Sequence, residues 1–202
     1  MKIFARFLSY VLHPVFMPLV SVFILFQLPL YYNFKYSDSF FNYIYVLLSL
    51  NLIAIPLLVN FYMKRKKMIK SMEMNEVGER VLPYLISCIF YTLTYFLLKE
   101  ISFPDFYLAV FQAATLTIFA LLLLALLKQK TSAHLAGIGG ICGMLISIAI
   151  SFKIDTSGLL IVFVLLSGLA GFSRLALNAH KPIEVILGFL LGLGLQLFIT
   201  LL

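Results

Sequence analysis

Tryptophan is absent from this chain, cysteine occurs twice, and acidic residues number only 8 in 202. Charged residues of both signs make up 11%, where a soluble domain carries about 25%. So little charge cannot keep a water-facing surface in solution, which excludes an ordinary soluble globule and a disordered chain alike. Cys88 and Cys142 both lie inside apolar runs and read as small buried hydrophobes, which excludes a disulfide framework or a thiolate metal pair. No solenoid-type repeat or low-complexity tract is present.

What is present is apolar. Hydrophobic residues make up 63% and mean hydropathy is +1.08. A single core of this size cannot hide that much apolar surface, so lipid must cover much of it. At about 20 apolar residues per membrane crossing, the chain holds seven candidate spans. They run from about Leu8 to Leu30, Phe41 to Met63, Val81 to Leu98, Phe106 to Leu127, Leu135 to Phe152, Ser157 to Phe172 and Pro182 to Leu202. Pro14 and Pro18 predict a kink in the first. The expected fold is an all-α, multi-pass transmembrane helix bundle of six to seven spans, a single integral membrane domain over residues 1–202.

The net charge of +7 sits in short connectors, not in a nucleic-acid footprint. With the amino terminus inside, the inner connectors hold 12 Lys and Arg, and Lys35, Lys99 and Lys153 are the 3 on the outer side. That bias predicts a plasma (inner) membrane protein with its polar loops on the cytoplasmic face. An even number of spans separates Arg80, the Lys128–His134 loop and the Ser173–Lys181 loop. They share one membrane face and can meet. Small residues four apart, such as Gly139/Gly143, Ser167/Gly171 and Gly188/Gly192, predict that the last three spans pack tightly and support those loops. Tyr31, Tyr32, Tyr36, Tyr43 and Tyr45 suit an aromatic belt at the opposite face.

Three polar stretches carry the chemistry: Glu79-Arg80-Val81-Leu82-Pro83; Lys130-Thr131-Ser132-Ala133-His134; and Ser173-Arg174-x5-His180-x3-Glu184. Arginine forks grip phosphate oxygens, and a helix starting near Ser132 offers free N–H groups to an anion. One neutral imidazole can attack phosphorus while a second donates to the leaving oxygen. A carboxylate beside the first fixes its tautomer. Together they make a metal-free phosphoryl-transfer kit.

The third stretch resembles the Ser-Arg-x5-His-x3-Asp signature of the phosphatidic acid phosphatase type 2 / haloperoxidase superfamily, with Glu184 in place of Asp. Thr131-Ser132-Ala133-His134 resembles the family's Pro-Ser-Gly-His, matching at two positions of four, and 46 positions separate His134 from His180. The family's Lys-x6-Arg-Pro is poorly kept: two residues separate Arg80 from Pro83, and Glu73 occupies the lysine position. The likeness covers about residues 80–190. It implies that His180 is the nucleophile, Glu184 its orienter and His134 the leaving-group acid, with Arg174, Ser132 and Arg80 on the phosphate. Lys130 is our own addition, as a substitute for the missing lysine. It further implies a lipid-phosphate or polyprenyl diphosphate phosphatase working through a phosphohistidine, with no metal, no cofactor and no nucleic-acid partner. Phosphorylated membrane lipids are the expected partners. A silent relative that only binds anionic headgroups, and a small transporter subunit, are the alternative readings. No acidic residue deep in any span supports the transporter.

Overall fold

The computed structural model describes residues 1–71, 74 and 76–202. It is 82% helical, with no strand among the described residues, and seven segments are long and apolar enough to cross a membrane. The chain is a multi-pass, all-α membrane protein.

The first span comprises α1 (Lys2–Val11), a 3₁₀ turn (Pro14–Phe16) and α2 (Met17–Gln27). Pro14 dictates the break, because the residue before a proline is pushed out of helical backbone. His13 accordingly sits at φ −67°, ψ 135°. Its Nδ1 accepts the freed Val15 N–H at 3.3 Å. The expected kink is present, but the span begins at Lys2 and not near Leu8, with Lys2 and Arg6 exposed on its first turns.

The second span comprises α3 (Asp38–Leu48), a π turn (Ser49–Ala54) and α4 (Ile55–Arg65). Pro56 has no N–H to give, and its ring crowds the Leu52 carbonyl; a wider turn relieves both. A 3₁₀ turn (Val77–Arg80) leads into α5 (Val81–Glu100). Four more unbroken helices follow: α6 (Asp105–Leu126), α7 (Ala133–Phe152), α8 (Ser157–Ala176) and α9 (Pro182–Leu201).

Helix α7 runs through the centre, with Ile138, Ile141, Met144, Leu145 and Ile148 fully enclosed. It lies against α9 along its length. Gly188 rests on the Ser132 carbonyl and Gly192 on that of Ala136, so a Cβ at either would overlap backbone. This is the small-residue contact expected from the sequence. Helix α8 packs on α7 and meets α9 through buried Gly171, which lies against Val185, while Ser167 is half-buried and Gly168 faces open space. It is tied to α1 as well, through Ser173 Oγ donating to the Ala5 carbonyl at 2.7 Å. Cys88 and Cys142 are free and buried.

At the face opposite the polar loops, Asn33 ties the end of α2 to the start of α6. Its Nδ2 donates to the carbonyls of Leu25, Phe26 and Leu28 at 2.8, 3.1 and 2.9 Å. Its Oδ1 accepts from the Tyr107 hydroxyl at 2.6 Å. Phe26, Phe41, Tyr45 and Phe103 pack around this knot. The tyrosines there divide: Tyr43 is exposed like a belt residue, whereas Tyr32 and Tyr45 turn inward against Tyr107 and Phe26.

Candidate functional site

The x5 spacing between Arg174 and His180 is one helix stop. Helix α8 ends at Ala176, and Asn178 takes left-handed backbone (φ 52°), which asparagine tolerates better than most residues. The N–H groups of Ala179 and His180 then both reach the Arg174 carbonyl, at 3.0 and 3.3 Å. Pro182 opens α9 with the backbone torsion a helix start needs. His180 therefore stands just outside α9 while Glu184 sits in its first turn. The glutamate arm reaches back, its Oε2 accepting from His180 Nδ1 at 2.8 Å and from the Lys181 N–H at 3.2 Å. The extra methylene relative to aspartate bridges the offset that Pro182 imposes.

A carboxylate on Nδ1 leaves the lone pair of His180 on Nε2. That nitrogen faces Arg80, whose Nη1 and Nη2 approach it at 3.5 and 3.4 Å. Burial, and then the Arg80 charge, hold the His180 pKa down to about 4 from an ordinary 6.5, against the upward pull of Glu184. The imidazole is neutral at neutral pH.

Arg80 is 6% exposed. Its Nε donates to the Met74 carbonyl at 2.9 Å and its Nη1 to the Thr131 carbonyl at 3.1 Å. These two carbonyls, the His180 imidazole and the Tyr84 hydroxyl that also meets Arg80 are all neutral partners. A guanidinium so enclosed favours a neighbouring anion. Glu73, at the lysine position of the first signature, lies outside the described residues.

The first span completes the site, which the sequence reading missed. Arg174 Nη1 donates to Ser9 Oγ at 2.6 Å. His134 Nε2 lies 3.1 Å from the Ser9 carbonyl, to which it donates, and 3.4 Å from Ser9 Oγ. His13 packs edge-on against His134, with ring centroids 5.2 Å apart. Arg6, Ser9 and Tyr10 recur at helical spacing on α1, and His13, just past its end, continues their polar stripe. That stripe was the available signal.

Ser132 and Lys130 differ in outcome. Ser132 is the N-cap residue of α7, yet it makes no side-chain cap bond. Its Oγ is fully buried with no hydrogen-bond partner, while its backbone N–H donates to the Glu184 carbonyl at 3.1 Å. A hydroxyl left so, beside the free N–H groups of a helix start, is a second mark of an anion position. Lys130 is half-exposed and does not line the cavity. Burial, and then Arg80, lower its pKa. The Thr131 carbonyl, not Lys130, is what this loop brings to Arg80.

Arg80, His134, Arg174 and His180 all line one cavity of about 510 Å³. Below them its wall is Pro83, Tyr84, Ser87 and Tyr91 of α5, opposite Leu52 and Pro56. Tyr10 and Phe16 line it too and are 68% and 40% exposed, so it opens beside the first span. Of the seven residues expected to form the site, four line the cavity, Glu184 and Ser132 stand directly behind it, and Lys130 stands aside. No protein-family model, no curated protein and no solved structure matches this chain.

Proposed function

We propose that this protein is a membrane lipid-phosphate phosphatase that works through a phosphohistidine at His180. One observation carries the reading: the lone-pair nitrogen of a neutral, carboxylate-backed imidazole meets a buried arginine fork at the polar end of an amphipathic cavity. A phosphate there would be gripped by Arg80 and Arg174, with the first turn of α7 and Ser132 Oγ as further donors.

The steps follow from those atoms. His180 Nε2 attacks phosphorus; a P–N bond forms as the P–O bond to the lipid breaks. Glu184 stabilises the imidazolium that develops. The incoming phosphate charge favours protonation of His134, which leaves the Ser9 carbonyl and donates its proton to the departing alkoxide. Water then attacks phosphorus and gives a proton to His134. The P–N bond breaks, releasing inorganic phosphate and neutral His180.

The resemblance to the phosphatidic acid phosphatase type 2 superfamily supports the same assignment, as does the cavity opening within a membrane-spanning segment. Sidedness belongs to this reading too. Leaving out the buried Arg80 and Arg174 still gives 10 Lys and Arg against 3, so the site faces the cytoplasm, and a plasma (inner) membrane is the expected location. An impermeant thiol reagent that labels Asn178→Cys in intact cells would contradict that orientation.

The direct test is phosphate release from a panel of lipid phosphates by purified protein. Vanadate inhibition and loss of release in His180→Ala are expected; release undiminished in that variant sinks the mechanism. A second reading, headgroup binding without turnover, is favoured by the His134 N–H already bonded to the Ser9 carbonyl. Vanadate binding with no phosphate released from any substrate would select it.

A further inference from the structure

The third histidine of this chain has no part in the steps above. His13 lines the same cavity as Arg80, His134, Arg174 and His180. Its ring is held from three sides. Nδ1 accepts the Val15 N–H at 3.3 Å, and the Phe16 and His134 rings meet it edge-on, with centroids 6.4 and 5.2 Å away. Pro14 sets this up, because the extended backbone it imposes on His13 makes that residue the N-cap of the 3₁₀ turn.

The cap decides the tautomer. A ring nitrogen that accepts a hydrogen bond carries no proton, so the imidazole is neutral and its N–H is on Nε2. No acceptor among the described residues meets that N–H. His134 differs, for its Nε2–H is engaged by the Ser9 carbonyl. Depth separates the two as well. Pro14 lies against Gly137, where a Cβ would stand 3.8 Å from the Pro14 Cα. Gly137 is about 4.5 Å further into the membrane along α7 than His134, at 1.5 Å per residue. His13 thus stands on the membrane side of His134, toward the part of the cavity walled by Pro83 and Tyr91.

We infer that His13 is a further catalytic residue, donating a hydrogen bond from Nε2 to the oxygen that leaves phosphorus. The inference rests on the phosphatase reading and adds a group to its leaving side. Phosphoryl transfer sets attacking and leaving atoms in line. An ester attacked by His180 therefore turns its alcohol away from that residue, toward the two other imidazoles and the membrane. As the P–O bond breaks, its electron pair stays on the departing oxygen. His134 delivers the proton and His13 keeps its own. A neutral imidazole aimed at developing negative charge stabilises it with no reorganisation at the moment of reaction.

The test uses the full chain in phosphatidylcholine nanodiscs with two substrates. The alkoxide of dodecyl phosphate is strongly basic and needs help to leave; the phenolate of p-nitrophenyl phosphate does not. His13→Asn keeps an acceptor for the Val15 N–H and loses the donor, whereas His13→Gln puts an amide N–H at the reach of Nε2 and gives up the cap. His13→Asn should slow dodecyl phosphate about 10²-fold and p-nitrophenyl phosphate less than about threefold. His13→Gln should hold dodecyl phosphate within about tenfold of the unaltered protein. A residue that only capped the turn would reverse that order, leaving Asn active and Gln impaired. The reversed order, or an equal fall on both substrates, overturns the inference and leaves the phosphatase standing. Protection against heat by vanadate identifies variants that are folded with an intact anion site. If His13→Asn lacks it, His13→Met takes its place, matching Gln in reach without a donor, and equal Met and Gln rates overturn the inference. No phosphate release from either substrate by the unaltered protein overturns both.

Discussion

The two ends of this bundle bury polar groups in opposite ways. At the aromatic end, the Asn33 amide meets three backbone carbonyls and a tyrosine hydroxyl, all uncharged, and phenyl rings close around them. At the basic end, a guanidinium meets two carbonyls, a tyrosine hydroxyl and a neutral imidazole beside an open cavity. Hydrogen bonds between neutral partners satisfy a knot and leave nothing to recruit. A buried cation among neutral acceptors is stable only in part, and an anion would complete it. The first arrangement fastens the chain; the second fits the anion site proposed above.

That contrast can be broken by substitution. Glu184→Gln should have the largest effect, lowering phosphate release about 10³-fold while the protein stays folded, because the amide no longer fixes the His180 tautomer. A rate within tenfold of the unaltered protein, on a lipid phosphate, would remove Glu184 from the proposed mechanism. Asn33→Ala should do the reverse. Thermal unfolding in detergent should register a loss of about 3 kcal/mol, from carbonyls left without donors, with vanadate affinity kept. Weakened vanadate binding in that variant would show the two ends to be coupled.

Arg80→Lys sharpens the comparison further. It retains the charge and loses the fork, so vanadate affinity should fall about tenfold, or about 1.4 kcal/mol; isothermal titration would measure it. The smallest effect is with pH. Because folding lowers the His180 pKa to about 4, the unfolded chain binds the extra proton first. Stability should therefore be full above about pH 6.5 and decline as pH falls toward 4. In His180→Gln that decline should be shallower, and an unchanged slope would assign it to other groups.

Some of the site was legible in the chain. Hydropathy located all seven spans, since crossing a bilayer demands length and apolarity that no short-range detail can mask. Pro14 announced the break. The Ser173-Arg174-x5-His180-x3-Glu184 spacing encoded a helix stop, a turn and a helix start, all local events. Arg80 carried the weakest of the three motifs yet proves central, because its contacts with Thr131 and His180 cross 51 and 100 residues of sequence. Ser9 was missed for the same reason, lying 165 residues from Arg174. Lys130 was placed by charge alone and stands outside the cavity.

What the sequence determined by itself is the solvent of each segment: which stretches lie in lipid, where they bend, and that the basic connectors share a face. Those follow from composition and periodicity, which act residue by residue. Only the tertiary structure decided how the spans turn about their own axes. Rotation is set by close packing between distant helices, as where Gly188 and Gly192 seat α9 on α7. That rotation alone brings Arg80 to His180 and hollows a cavity beneath them.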